Sequence, residues 1–210
     1  MRLRPLTDWP ASERRNIVGV FTDIDDTLTT HGEITPDALQ ALADLKAAGL
    51  AVIAITGRPV GWCEPLAQTW PVDAVVAENG AVALVPALPT GVNDSNGLSP
   101  PSDGRRKLSK LYQQSADERA SNYTRMQQVA AQVLREVPGV QLTRDHAGRE
   151  TDLAFDYREF AQLTEAQAQQ GLALLQAACM HTTVSSIHIH GCFGLFNKWQ
   201  GACWIARELL

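Results

Sequence analysis

Residues 17–21, Ile-Val-Gly-Val-Phe, run without alternation into Thr22-Asp23-Ile24-Asp25-Asp26-Thr27. That junction limits the fold more than any other stretch of the chain. An uninterrupted apolar run with β-branched residues reads as a strand buried on both faces, the kind found in parallel sheets covered by helices. Open α/β sheets take ligands beyond the carboxyl ends of their strands, and the acids fall at such an end. Asp23 and Asp25 are two apart, so an extended backbone sends both side chains to one side. Carboxylates held that close repel unless a cation or proton lies between them. Mg²⁺ is a hard cation that takes oxygen ligands and keeps several waters.

Thr35-Pro36-Asp37 then reads as a helix start, with Leu39, Leu42 and Leu45 at helical spacing and Gly49 at the end. A second apolar strand over residues 50–55 runs into Thr56-Gly57-Arg58-Pro59, and strand–helix–strand implies a parallel pair with a right-handed crossover. A helix over 62–70 and a third strand over 72–77 follow, ending in Glu78-Asn79-Gly80-Ala81. Residues 86–104, rich in Pro and Gly, predict a loop or hinge. Beyond it, Ser115–Glu118 and Thr164–Gln167 are capping boxes. The first opens an amphipathic helix through Met126, Val129, Val133 and Val137; the second opens a helix to about Cys179. Strands are expected over 140–143, 151–157 and 182–190, and a last helix from Asn197-Lys198 to Leu210. The block between the first strands and the last helix predicts a small α+β unit of two helices on an antiparallel sheet.

The chain has 210 residues and a formal net charge of -5, which disfavours non-specific nucleic-acid binding. Any anionic substrate therefore needs a local cluster of positive charge. Cys63, Cys179, Cys192 and Cys203 show no metal-type spacing and read as reduced thiols of a cytoplasmic protein. The first 16 residues carry arginines but no apolar core, so they do not read as a signal peptide, and no run reaches membrane-spanning length.

The ordered set of Asp23-Ile24-Asp25-Asp26-Thr27, Thr56 after an apolar strand, and Lys198 at a helix start resembles the haloacid dehalogenase-like superfamily of phosphohydrolases. The insertion between the second and third motifs looks like the α/β cap of its subfamily IIB, which includes sucrose-phosphate, mannosyl-phosphoglycerate and Cof-type sugar phosphatases. Glu78-Asn79-Gly80-Ala81 and Arg149-Glu150-Thr151-Asp152 also look like stretches of those phosphatases. The resemblance implies an α/β fold: a Rossmann-like parallel core over 1–85 and 186–210, with a C2B-type cap over 86–185.

It further implies a Mg²⁺-dependent phosphatase for a small phosphorylated metabolite, a sugar phosphate or phosphorylated sugar acid. Asp23 would be the nucleophile and Asp25 the general acid and base. Asp23 and the Asp25 carbonyl would hold Mg²⁺, and Thr56, Gly57 and Lys198 the phosphoryl oxygens. Thr27, Arg58, Asn79, Arg149, Glu150 and Asp152 are candidate substrate contacts; Asn79 reads equally as a turn residue and Arg58 as a surface arginine. A phosphomannomutase-like phosphotransferase would share the nucleophile. His188 and His190 face one side of a strand, as a metal pair or a structural pair. The family's fourth motif, an acidic GDxxxD, has no counterpart after Lys198, where Glu208 is the one acid. Truncation, an acid from another chain, or a phosphate-binding remnant would each account for that; truncation is the expectation, with weak Mg²⁺ binding and a sheet edge that invites association.

Overall fold

The computed structural model describes residues 5–87 and 105–210. The residues expected to form the Pro- and Gly-rich loop lie largely outside that set. The elements follow in chain order as a short helix α1 (Ala11–Arg14), β1 (Gly19–Thr22), β2 (Thr29–Thr30), β3 (Glu33–Ile34), α2 (Pro36–Ala47), β4 (Ala51–Ile55), α3 (Val60–Thr69), β5 (Ala74–Ala77) and β6 (Val82–Pro86). After the gap come β7 (Leu108–Tyr112), α4 (Ala116–Glu136), β8 (Gln141–Leu142), β9 (Asp152–Asp156), α5 (Glu165–Ala177), β10 (His181–Val184), β11 (His188–Cys192) and α6 (Lys198–Leu209).

Two sheets organise the α/β molecule. The first has the order β1-β4-β5-β6-β7, parallel from β1 to β5 and antiparallel beyond. Alternation along its central strands fills two cores. Val52, Ala54, Val75, Ala77, Val82 and Leu84 pack with Leu42, Val60, Cys63 and Ala67 of α2 and α3. Ile53, Ile55, Val76, Ala83 and Val85 pack with Ile205 of α6 on the opposite face. Covering both faces is why these strands read as unbroken apolar runs.

The second sheet, antiparallel in the order β10-β11-β9-β8, carries α4 and α5 on one face, closed by Met126, Val133, Phe155, Leu175 and Ile189. Both helices begin in the expected capping boxes, at Ser115 and Thr164. β7 lies within the expected insertion yet pairs with β6, whereas β11 lies after it yet pairs with β9.

Two readings of the sequence are corrected. The first strand is not buried on both faces. Among the described residues β1 pairs with β4 alone, so it is an edge, with Val18 67% and Phe21 39% exposed. The single strand expected over 182–190 is a hairpin, because the Ser185 hydroxyl accepts the His188 amide at 2.9 Å and turns the chain between β10 and β11. Among the described residues no helix is long and apolar enough to cross a membrane.

Candidate active site

The carboxyl ends of β1 and β4 deliver the acids and Thr56 to one place. After β1 the backbone turns at Asp26, whose φ of 54° is left-handed, a conformation that Asp tolerates better than most residues. The Ile24 amide donates to Asp23 Oδ1 at 2.8 Å. Thr56 is 1% exposed at the end of β4, its hydroxyl 3.4 Å from Asp25 Oδ2. The same hydroxyl accepts the Arg58 amide at 3.1 Å.

Lys198 reaches this point from the far end of the sequence. Asn197 caps α6, its side chain accepting the Gln200 amide at 2.9 Å. That start is pressed onto the Glu78–Gly80 turn, where a Cβ on Gly201 would meet Gly80 Cα at 2.5 Å. Two glycines face to face let the backbones approach as side chains would forbid. From there Lys198 Nζ donates to Asp23 Oδ2 at 2.6 Å.

Arg58 closes the other side. Its Nε and Nη2 donate to the Asp25 carboxylate at 2.9–3.2 Å, a two-pronged pairing. Asp25 thereby holds the guanidinium above its usual range. Arg58 also lies over the Trp62 ring at 5.0 Å.

The second sheet roofs the cleft. Its wall comprises Ser185, Ser186 and Ile187 of the hairpin turn, His188 and His190 of β11, and Asp145 and Arg149 before β9. The cleft is open to solvent on one side and has a volume of about 350 Å³, the low end for a small-molecule site. His188 Nε2 lies 2.7 Å from a Glu159 carboxylate oxygen, and His190 Nδ1 lies 3.4 Å from Asp152. Each histidine thus has its own carboxylate, an arrangement that favours the structural pair over the metal pair.

Of the expected site residues, Asp23, Asp25, Thr56, Gly57, Arg58, Arg149 and Lys198 line the cleft. Thr27 does not; the buried Thr29 does, its hydroxyl donating to the Ile24 carbonyl at 3.2 Å. Asn79 sits behind Gly57 in a left-handed turn with φ 55°. Glu150 points to Lys110 and Tyr112, at 2.8 and 2.6 Å. Asp152 is 5% exposed, bound by Arg149 Nη1 at 2.8 Å. Burial alone would raise its carboxyl, but Arg149 and His190 hold it below the usual range. Arg149 Nη1 also donates to the Gly57 carbonyl at 3.2 Å, tying the roof to the floor. Sequence reasoning missed Asp145 and the turn at Ser185-Ser186. Paired serines within an apparent strand were a usable signal for the turn; Asp145 carried none.

The charge on the wall bears on what the cleft can hold. Four carboxylates, Asp23, Asp25, Asp26 and Asp145, face three cationic side chains, Arg58, Arg149 and Lys198. A phosphate dianion entering this wall needs another cation, and oxygen donors suit Mg²⁺. The carboxylate oxygens of Asp23 and Asp25 are the donor type that would suit such an ion. Among the described residues no group of three or more His, Cys, Asp or Glu side chains is placed to hold a metal.

Comparison with known proteins bears on the family resemblance of one segment and on the fold. Residues 20–96 match the family model described as haloacid dehalogenase-like hydrolase. No curated protein matches the sequence. Among solved structures, a Thermoplasma acidophilum protein is 13% identical with TM-score 0.62, over 91% of this chain and 71% of that one. The sucrose-phosphatase of Synechocystis, solved with sucrose and phosphate, is 14% identical with TM-score 0.59, over 90% and 69%. A haloacid dehalogenase-like hydrolase from B. subtilis is 12% identical with TM-score 0.57, over 92% and 79%. The segment bearing Asp23, Asp25 and Thr56 thus matches the haloacid dehalogenase-like hydrolase model, and about nine-tenths of the chain shares the fold of these neighbours.

Proposed function

We propose that the protein is a phosphatase for a small phosphorylated metabolite, a sugar phosphate or phosphorylated sugar acid. The observation that carries this reading is the single cleft in which Lys198 holds Asp23 while Thr56 and Arg58 hold Asp25, beneath the second sheet. The family match and the phosphatases among the structural neighbours support the chemistry. The sucrose-phosphatase and a trehalose-6-phosphate phosphatase related protein (14% identical, TM-score 0.58) support the substrate class.

In this reading an Asp23 carboxylate oxygen attacks phosphorus, and the ester oxygen leaves with a proton from Asp25. Asp25 then takes a proton from the water that hydrolyses the aspartyl-phosphate. Hydrogen bonds from the Ile24 amide and Lys198 fix the Asp23 carboxylate before attack. Thr56, Gly57 and Lys198 bind the phosphoryl oxygens. Asp25 acts only when Arg58 releases it, and a bound phosphate offers Arg58 replacement oxygens. Mg²⁺, held by Asp23 and the Asp25 carbonyl, would neutralise phosphoryl charge when bound. We place the cap at residues 113–192, where its hairpin turn and His188 face the leaving group.

The test is p-nitrophenyl phosphate hydrolysis, with and without Mg²⁺, by the chain and by Asp23→Asn. Turnover that survives Asp23→Asn rejects the mechanism. A second reading, phosphate binding without turnover, draws on the two-pronged Arg58–Asp25 pairing, which occupies the acid and base. Calorimetric phosphate binding by a chain that shows no hydrolysis selects it.

A further inference from the structure

Glu78 is a carboxylate that the proposed chemistry does not use. It is 1% exposed, in a left-handed turn with φ 49° just after β5. Its four partners are three backbone amides and one hydroxyl. Oε1 accepts the amides of Val60 at 3.2 Å and Glu150 at 2.9 Å. Oε2 accepts the Thr151 amide at 2.6 Å and the Thr151 hydroxyl at 2.5 Å. Val60 is the first residue of α3 beside the cleft floor, whereas Glu150 and Thr151 lead into β9 of the roof.

We propose that Glu78 is a positioning residue: it clasps the roof to the floor through residues 150–151 and so sets Arg149, with its partner Asp152, against the cleft. The argument is one of valence. Three backbone amides converge on two oxygens, and a carboxyl accepts all three whether it is ionised or protonated toward the Thr151 hydroxyl, which can donate or accept. The peptide bonds that Glu78 grips flank Glu150, directly after Arg149. Arg149 is 8% exposed and bridges the Gly57 carbonyl of the floor to Asp152 of the roof. Loosening residues 150–151 therefore releases the guanidinium that joins the two sheets. The titratable groups that face Glu78 are Asp152 of β9, Arg149 before it, Cys63 of α3 and Cys192 of β11. This role rests on the proposed function for its meaning in turnover, but the clasp itself is a matter of structure.

The experiment compares the full chain with Glu78→Gln and Thr151→Val by amide hydrogen exchange at neutral pH. Gln keeps the shape but turns an NH₂ group toward at least one backbone N–H whichever way its amide lies. Thr151→Val removes one bond and leaves the carboxylate, so it serves where Glu78→Gln fails to fold. The expected result is a fall in protection at residues 149–152 of roughly tenfold or more in Glu78→Gln and a smaller fall in Thr151→Val. Amides of β4 stay protected in both. Unchanged protection at 149–152 overturns the proposal, as does an equal loss in β4, which would make Glu78 a stability residue only. With p-nitrophenyl phosphate, KM should rise more than kcat falls in both variants, and the reverse also overturns the positioning role. A wild-type chain without turnover counts against the phosphatase reading alone, because exchange still decides the clasp.

Discussion

Lys198 Nζ lies 2.6 Å from Asp23 Oδ2, joining residues 175 positions apart. Both side chains are about two-fifths exposed, at 41% and 40%. An ion pair at that exposure adds little to stability, so its value lies in placing charge. Lys198→Ala should therefore shift the melting temperature by no more than about 2 °C. Turnover of p-nitrophenyl phosphate should fall on the order of a hundredfold, as when one donor to a developing charge is lost. A large loss of stability with unchanged turnover would reverse this assignment.

Gly201→Ala tests how Lys198 is positioned. The new methyl would meet backbone at Gly80 Cα, 2.5 Å away, and backbone cannot turn aside as a flexible side chain can. The start of α6 must shift, at a cost of about 1–3 kcal/mol. Inorganic phosphate should then bind more weakly by calorimetry, although no titratable group has changed. Full phosphate affinity in a destabilised Gly201→Ala protein would separate α6 packing from the site.

Arg58 is expected to serve phosphate rather than only to lock Asp25. Its guanidinium pairs with Asp25 on one side and lies 3.9 Å from Asp145 on the other. Arg58→Ala removes one of three cations from the cleft wall. KM for p-nitrophenyl phosphate should rise roughly tenfold, the loss of a charged hydrogen bond. A rise in kcat with unchanged KM would show instead that the pairing holds Asp25 out of action.

Much of this was legible because the site is built at strand ends and helix starts. Apolar runs followed by Asp23 and Thr56, and the helix start at Asn197-Lys198, carry local signals that tertiary contacts do not overrule. The capping boxes at Ser115 and Thr164 were equally local. An exposed sheet edge was expected, but that it would be β1 was not legible, since a buried and an edge strand can share one apolar run. Nor was the fate of Arg149, Glu150 and Asp152. Adjacent in sequence, they diverge in space: Arg149 to the cleft, Glu150 to Lys110, Asp152 into a buried pair. Glu78 gave no sign of burial because its four partners come from α3 and from residues 150–151, far away in sequence.

The outer edge of β1 should drive self-association. A free edge offers unpaired backbone groups to another strand, and Val18 and Phe21 are 67% and 39% exposed there. Sedimentation of the chain should show mass increasing with concentration, and Val18→Lys should reduce it, since an edge lysine blunts strand pairing. A chain that stays monomeric at high concentration would dismiss the edge as an interface.

Glu78 should also leave a signature in stability against pH. Burial and the nearby Asp152 carboxylate push its carboxyl from 4.5 up to about 7, against the opposing pull of the Thr151 and Glu150 hydrogen bonds. Between those values the folded chain holds a proton that the unfolded chain has lost. Stability from this group is therefore present at low pH, declines as pH rises through that window, and is level above about 7. Glu78→Gln has nothing to titrate there, so groups common to both proteins cancel in the difference. Urea denaturation at about pH 5, 6, 7 and 8 should show the wild type losing stability relative to Glu78→Gln as pH rises. The difference should stop changing once the carboxyl is fully ionised. A difference independent of pH, or one that grows in favour of the wild type, would mean that the four donors hold Glu78 ionised throughout, with hydrogen bonding outweighing burial.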